Sequence, residues 1–212
     1  MRAMPLKFKQ LLEKIAKEKA PGPVPTFSAL HLLHAVELVA AKPIGRAKLS
    51  EELEVGEGAA RTIIARLKEA GLISTSKAGC SLTTKGRKLW DKYREIITKE
   101  IEIEKCELLS AKYNIAILVK NCGHKVETGI EQRDAAVKIG AKGAITIIFK
   151  DGHLIVPSVS NDFLRDYPDA AEQIIRLMQP EENDVIIISG ADTPNVAKQG
   201  ITAAAWTLLD DC

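Results

Sequence analysis

Residues 56–86, GEGAARTIIARLKEAGLISTSKAGCSLTTKG, decide how the first half of the chain folds: a basic amphipathic helix runs directly into a glycine-turned hairpin. Ala60, Ile63, Ile64 and Leu67 recur at helical spacing and predict one buried stripe. Gly58, Arg61, Thr62, Ala65, Arg66 and Lys68 are left facing outward. A helix suited to the DNA major groove needs small residues near its start for close approach, and arginines that fork onto guanine or grip phosphate. Gly58, Arg61 and Thr62 meet both needs. Downstream, Leu72 to Ser76 and Cys80 to Thr83 flank Lys77, Ala78 and Gly79, where glycine supplies the positive φ of a tight hairpin. Lys77 falls at the tip, within reach of phosphate.

Counting outward completes the unit. Thr26 and Ser28 can cap a helix after Pro25, and Leu30, Leu33, Val36 and Val39 carry it to about Ala41. Pro43 interrupts, and Arg46 to Leu53 form a short second helix with Leu49 and Leu53 on one side. Thr84 begins a further helix carrying Leu89, Trp90, Tyr93, Ile96 and Ile97. Three helices followed by a hairpin predict a winged helix-turn-helix over residues 26–98, with double-stranded DNA as partner. The expected DNA-binding residues are Arg46, Gly58, Arg61, Thr62, Arg66, Lys68 and Lys77. The competing readings are a helical subdomain whose lysines only solvate it, and a protein-docking module.

Charge favours DNA. Residues 1–108 carry 20 Lys and Arg against 14 Asp and Glu, whereas residues 109–212 carry 10 against 14. Within residues 42–94 the count is 12 against 6, so the excess of the first half lies where DNA would touch. Aromatic residues are only 4%, which argues against a stacking platform for single-stranded RNA.

The pattern Gly45-Arg46, Leu49, Leu53, Glu57-Gly58, Arg61, Leu67, Gly71-Leu72-Ile73, Leu82-Thr83 and Gly86 resembles the DNA-binding domains of prokaryotic winged-helix transcription regulators. Together with Gly129 to Ala136 and the run Gly140-Ala141-Lys142-Gly143-Ala144, it is similar to a small archaeal family whose C-terminal domain has no assigned function. The resemblance implies a two-domain DNA-binding regulator and brings no chemistry for the second half.

Residues 1–25 combine six cations with a helical face of Leu6, Phe8, Leu11, Leu12 and Ile15, ending in a proline-rich linker from Pro21 to Pro25. Lysines interrupt every apolar run there, so a secretion signal is not expected. No stretch reaches the roughly 20 apolar residues of a membrane span. Four scattered cysteines, Cys80, Cys106, Cys122 and Cys212, form no CxxC pair, which points to a reducing cytoplasm and to no zinc site. His31 with His34, and Cys122 with His124, are two-residue metal candidates without a visible third ligand. No cofactor or metal is expected.

Residues 99–212 read as a second α/β unit, giving an α+β chain of two domains. A half-exposed strand is expected over 100–108, in competition with a continued helix. Tyr113 to Val119, Ala144 to Phe149, His153 to Val156 and Val185 to Ser189 read as strands, with Asp151-Gly152 a strong hairpin signal. Glu131 to Ile139, Asp169 to Met178 and a segment after Thr193-Pro194 running to Leu209 read as helices. The order β-α-β-β-α-β plus a final helix matches the ferredoxin-like arrangement but does not fix strand pairing, and with a strand over 100–108 another α/β sandwich is the alternative; either would serve effector sensing or dimerisation. Two places could hold a small anionic effector: Glu131, Arg133 and Asp134 at one helix start, and Asp192 and Thr193 at another. For these the ordinary alternatives are a local ion pair and plain helix capping. No Ser-His-Asp order, Walker loop, HExxH or dinucleotide fingerprint is visible, so no enzyme is expected, and the loops of a riboflavin-kinase fusion are missing. A homodimer is expected, because each recognition helix sees only a few base pairs.

Overall fold

The computed structural model describes residues 4–17, 26–103 and 109–210. The 21–25 linker, the 104–108 end of the expected strand, and Cys106 and Cys212 lie outside them. The chain divides into two units, Met1–Arg94 and Glu95–Cys212.

The first unit is built around α2 (Ala29–Ala41), whose sequence is apolar nearly all round and which buries Leu32, Leu33, Ala35, Val36 and Val39. After Pro43 come α3 (Arg46–Glu52) and α4 (Glu57–Glu69). Their turn is locked by Ser50, whose buried hydroxyl donates to the Val55 carbonyl at 2.6 Å while Val55 N–H returns a bond to Ser50 at 3.1 Å. Helix α4 buries Ala60, Ile63 and Leu67 as the spacing requires. Ile64 departs from the expected stripe: it is half-buried and turned toward the hairpin. The N-terminal basic segment forms α1 (Met4–Ala16), which seats Phe8 and Leu12 in the core of this unit. Phe8 meets Tyr93 of α5 (Thr84–Ile96) edge-on at 6.0 Å. Burial of each of those two α1 side chains contributes roughly 1.5–3 kcal/mol.

Strands β1 (Ile73–Ser76) and β2 (Gly79–Leu82) pair antiparallel, with Ser76 opposite Gly79 and Lys77-Ala78 at the tip. The hairpin is tied to the body by a bridge between Ile44 and Cys80, with bonds of 2.8 and 3.2 Å in the two directions. Gly79 is required at this join: its φ is +116°, and a Cβ would lie 2.6 Å from the Ile44 carbonyl oxygen.

The second unit opens where α5 ends. Strand β3 (Ile97–Glu102) follows Ile96 at once, so Ile97, expected on the helix, begins a strand. Then come β4 (Tyr113–Val119), α6 (Ile130–Lys138), β5 (Gly143–Lys150), β6 (His153–Ile155), α7 (Phe163–Asp166), α8 (Pro168–Met178), β7 (Val185–Ala191) and α9 (Pro194–Thr207). The β5–β6 hairpin turns on Asp151 and Gly152, whose φ values of 51° and 78° are the two left-handed residues of a type I′ turn. The sheet is antiparallel throughout, in the order β3-β4-β7-β5-β6. Helices α6 and α9 cover one face. On the other, Phe163 of α7 and Ala170, Ala171, Ile174 and Met178 of α8 pack on Ala116, Leu118, Ile147, Ile186 and Ile188. With both faces covered, every residue of β7 is buried.

The element order therefore matches the expectation, but the ferredoxin-like pairing does not form. That pairing would insert the second hairpin strand between the strands joined by the first helix. Here β6 lies at the sheet edge and β7 occupies the slot between β4 and β5. The residues 153–155 give β6 only three rungs, whereas the 185–191 run gives β7 enough apolar length to pair fully on both sides.

Candidate nucleic-acid interface

The outer side of α4 and the hairpin enclose an open groove of about 410 Å³. Arg46 and Arg61 line it from the helices, Lys77 from the hairpin tip, and Ile64 and Cys80 form its floor. Cys80 is buried, and desolvation pushes its thiol pKa upward, favouring the neutral thiol. Arg61 and Lys77 are exposed and make no ion pair to a described residue. Arg46 is exposed too but lies 3.7 Å from the Glu57 carboxylate, an exposed pair that a phosphate can displace. Lys68 sits on the same outward stripe as Gly58, Arg61 and Ala65, its ammonium 3.4 Å from the Thr75 hydroxyl.

Gly58 belongs to the same exposed surface. It lies in the first turn of α4, and nothing stands within 4 Å of the position a Cβ would take. A helical glycine costs about 0.5–1 kcal/mol against alanine. Neither packing nor backbone geometry among the described residues explains it, whereas close approach of another surface would.

Two residues expected at the DNA, Arg66 and Thr62, have partners within the chain. Arg66 does not point to the groove: its guanidinium donates to the carbonyls of Ile15, Ala16 and Lys17 at 2.8, 3.2 and 3.0 Å, and it stacks on Phe27 at 5.2 Å. It closes the C-terminal end of α1, where free carbonyls and the helix dipole attract a cation. Thr62 is half-buried, and its hydroxyl donates to the Gly58 carbonyl at 3.0 Å, inside its own helix. Other cations counted toward DNA have similar internal uses. Lys85 donates to the Ala70 carbonyl at 2.8 Å and Arg87 to that of Ala40 at 3.2 Å, each near a helix end, while Lys48 pairs with Glu51 and Glu52.

In the second unit the expected effector residues do not converge. Arg133 pairs with its neighbour Asp134 at 3.2 Å, both exposed, and Glu131 is exposed beside them. Thr193 accepts from Val196 N–H at 3.3 Å as the cap of α9, and Asp192 pairs with Lys142. Both places take the ordinary reading of local pairing and capping. Sequence reasoning missed two polar anchors nearby. Gln132 is buried and donates to Thr207 at 2.7 Å, tying α6 to α9. Asp184, also buried, accepts from Lys120 at 2.8 Å and from the amides of Asn121 and Glu181 at 2.9 and 2.8 Å. Burial alone would lower the Lys120 ammonium, but its bonds to Asp184 and Glu181 hold it above the ordinary lysine value.

The two-residue metal candidates are engaged elsewhere. His31 Nδ1 accepts from Ser28 N–H at 3.1 Å at the start of α2, and His124 Nδ1 lies 3.2 Å from the Asn183 amide. Among the described residues no group of three or more His, Cys, Asp and Glu could hold a metal. Nor is any described helix long and apolar enough to cross a membrane.

Residues 32–88 match the family described as PH0730-like, N-terminal domain, and residues 110–208 match a domain of unknown function (DUF4443). Among solved structures the chain is similar to the hypothetical protein PH0730 from Pyrococcus horikoshii OT3. The two share 32% identity with a TM-score of 0.66, over 86% of this chain and 92% of that one. A comparison with curated proteins gives no match.

Proposed function

We propose a function for this chain from one established premise: it belongs to the PH0730-like family, two-domain proteins with a member in the archaeon Pyrococcus. It is a winged-helix DNA-binding transcription regulator, with α4 as recognition helix and the β1–β2 hairpin as wing. The C-terminal unit supplies dimerisation, and the role is one of binding without catalysis.

What supports this reading is the groove between α4 and the hairpin. Arg61 and Lys77 stand on its walls without an ion pair to a described residue, and the open first turn at Gly58 lies beside them. An arginine on the outward face of α4 can fork onto a guanine edge, and a lysine at a hairpin tip can neutralise phosphate.

The test is fluorescence anisotropy of the full chain with duplex DNA across a salt series. If Arg46, Lys68 and Lys77 each meet one phosphate in each of two copies, log affinity should fall with log salt at a slope of about −5. Arg61→Ala should relax specificity and cost roughly 1–3 kcal/mol if its contact is bidentate to guanine. Lys77→Ala should weaken all sequences alike. Absence of salt-dependent binding to any duplex, or unchanged affinity in the Arg61→Ala/Lys77→Ala chain with an intact circular dichroism spectrum, refutes the reading.

A further inference from the structure

Helix α8 presents an outward stripe of Asp169, Glu172, Gln173 and Arg176, spaced i, i+3, i+4 and i+7 along one face. The stripe lies in a broad, shallow depression of about 800 Å³. Three large apolar side chains line the same depression and remain open to solvent: Leu164 at 46%, Ile175 at 42% and Leu177 at 41% exposure. Ile175 and Leu177, two positions apart on the helix, emerge on opposite flanks of the stripe, so exposed apolar side chains border it on both sides, as at an interaction surface. Asp169 and Arg176 are exposed, and neither makes an ion pair to a described residue.

The charge order along the stripe selects the occupant. Acid lies at its N-terminal end, base at its C-terminal end, and Glu172-Gln173 at its centre. A second α8 laid antiparallel across the first, with a twofold axis passing between Glu172 and Gln173, faces Asp169 with the other copy's Arg176. The same register faces Glu172 with the other copy's Gln173, whose amide donates to the carboxylate. The twofold repeats both pairs, so the stripe is complementary to itself, which is the condition for an isologous contact. A uniformly acidic or basic stripe would repel its own copy.

We propose that the outer face of α8 is the dimer contact of this protein, formed by antiparallel pairing with a second copy of the chain. Leu164, Ile175 and Leu177 supply the apolar contact, while Asp169 and Arg176 set its direction and register. The choice of a second copy rests on the regulator reading, which calls for two recognition helices, and the residues involved are wholly separate from the DNA groove.

Sedimentation of the full chain without DNA tests the proposal. Wild type should sediment as a dimer, and Ile175→Asp should shift it to monomer with an unchanged circular dichroism spectrum. Asp169→Arg alone and Arg176→Asp alone each set like charges face to face twice, and should weaken dimerisation by about tenfold or more. The combined Asp169→Arg/Arg176→Asp chain should regain wild-type association. A monomeric wild type at about 100 µM, well above the Kd of a specific contact, overturns the proposal. So does a dimer indifferent to Ile175→Asp and both single reversals. Single reversals that weaken the dimer without recovery in the combined chain overturn the antiparallel register. Loss of DNA binding in a chain that still dimerises counts against the regulator reading alone.

Discussion

Replacing Arg66 by alanine separates the two roles open to a cation on α4. In the structure its guanidinium holds three carbonyls at the end of α1 and lies over the Phe27 ring. A cation at a helix C-terminus contributes about 0.3–1 kcal/mol, ring stacking at a partly exposed site about 0.5–1, and the net hydrogen bonding about 1 more. Arg66→Ala should therefore destabilise the first unit by roughly 2–3 kcal/mol. For a unit of that size the melting temperature should fall by roughly 10–20 °C. Thermal unfolding of the full chain followed by circular dichroism measures the loss, and anisotropy with duplex DNA well below the transition measures binding. Arg66→Lys, which keeps the charge but replaces the planar fork with a single ammonium, should recover about half of the stability. DNA affinity of the folded Arg66→Ala chain should remain within a factor of about 3 of wild type, the scatter of additive independent sites. An unchanged melting curve together with a large loss of DNA affinity would show that the α1 clamp contributes nothing and that Arg66 is a DNA contact.

Gly58→Ala should raise stability by about 0.5–1 kcal/mol, because the site is helical and open, yet weaken DNA binding by obstructing close approach. A stabilised variant that binds DNA as well as wild type removes the close-approach argument. His31 is predicted to make the first unit sensitive to acid. Burial, with a smaller contribution from His34, holds its pKa below the ordinary 6.5, and its neutral Nδ1 accepts the Ser28 amide. The unfolded chain therefore takes up this proton first, so the stability His31 provides above pH 6.5 is lost as pH falls through that value toward the folded pKa. Urea midpoints measured from pH 7.5 down to about 5 should decline less steeply in His31→Gln than in wild type; parallel slopes would sink the assignment.

The parts of this fold legible in the sequence are those governed by near neighbours. The apolar spacing of Ala60, Ile63 and Leu67, the glycine at the hairpin and the Asp151-Gly152 turn each carry their geometry within a few residues. The internal role of Arg66 is not legible in the sequence, because its outward position is a property of α4 alone, whereas its partners Ile15, Ala16 and Lys17 lie about fifty residues upstream. The run Val185-Ile186-Ile187-Ile188 announces a strand buried on both faces but does not name its neighbours, so the slot between β4 and β5 could not be read from it. Ile97 continues the apolar face of α5 in spacing, which hides the change from helix to strand. The outward placement of Arg61 and Lys77 on the groove follows from spacing alone, because their surroundings are solvent. Arg133, Asp192 and Thr193 were ambiguous because a capping or paired residue has the same sequence signature as an anion ligand.

The central place of β7 also dictates when the second unit can form during synthesis. β4 and β5 both pair with a strand that leaves the ribosome after every other strand of the sheet. Until residues 185–191 emerge, the inner edges of β4 and β5 have unpaired amides and carbonyls on apolar strands, the condition that invites pairing with another nascent chain. At about 5–20 residues per second that interval lasts a few seconds from the completion of β5, so translation speed over this stretch sets how long the half-built sheet is at risk.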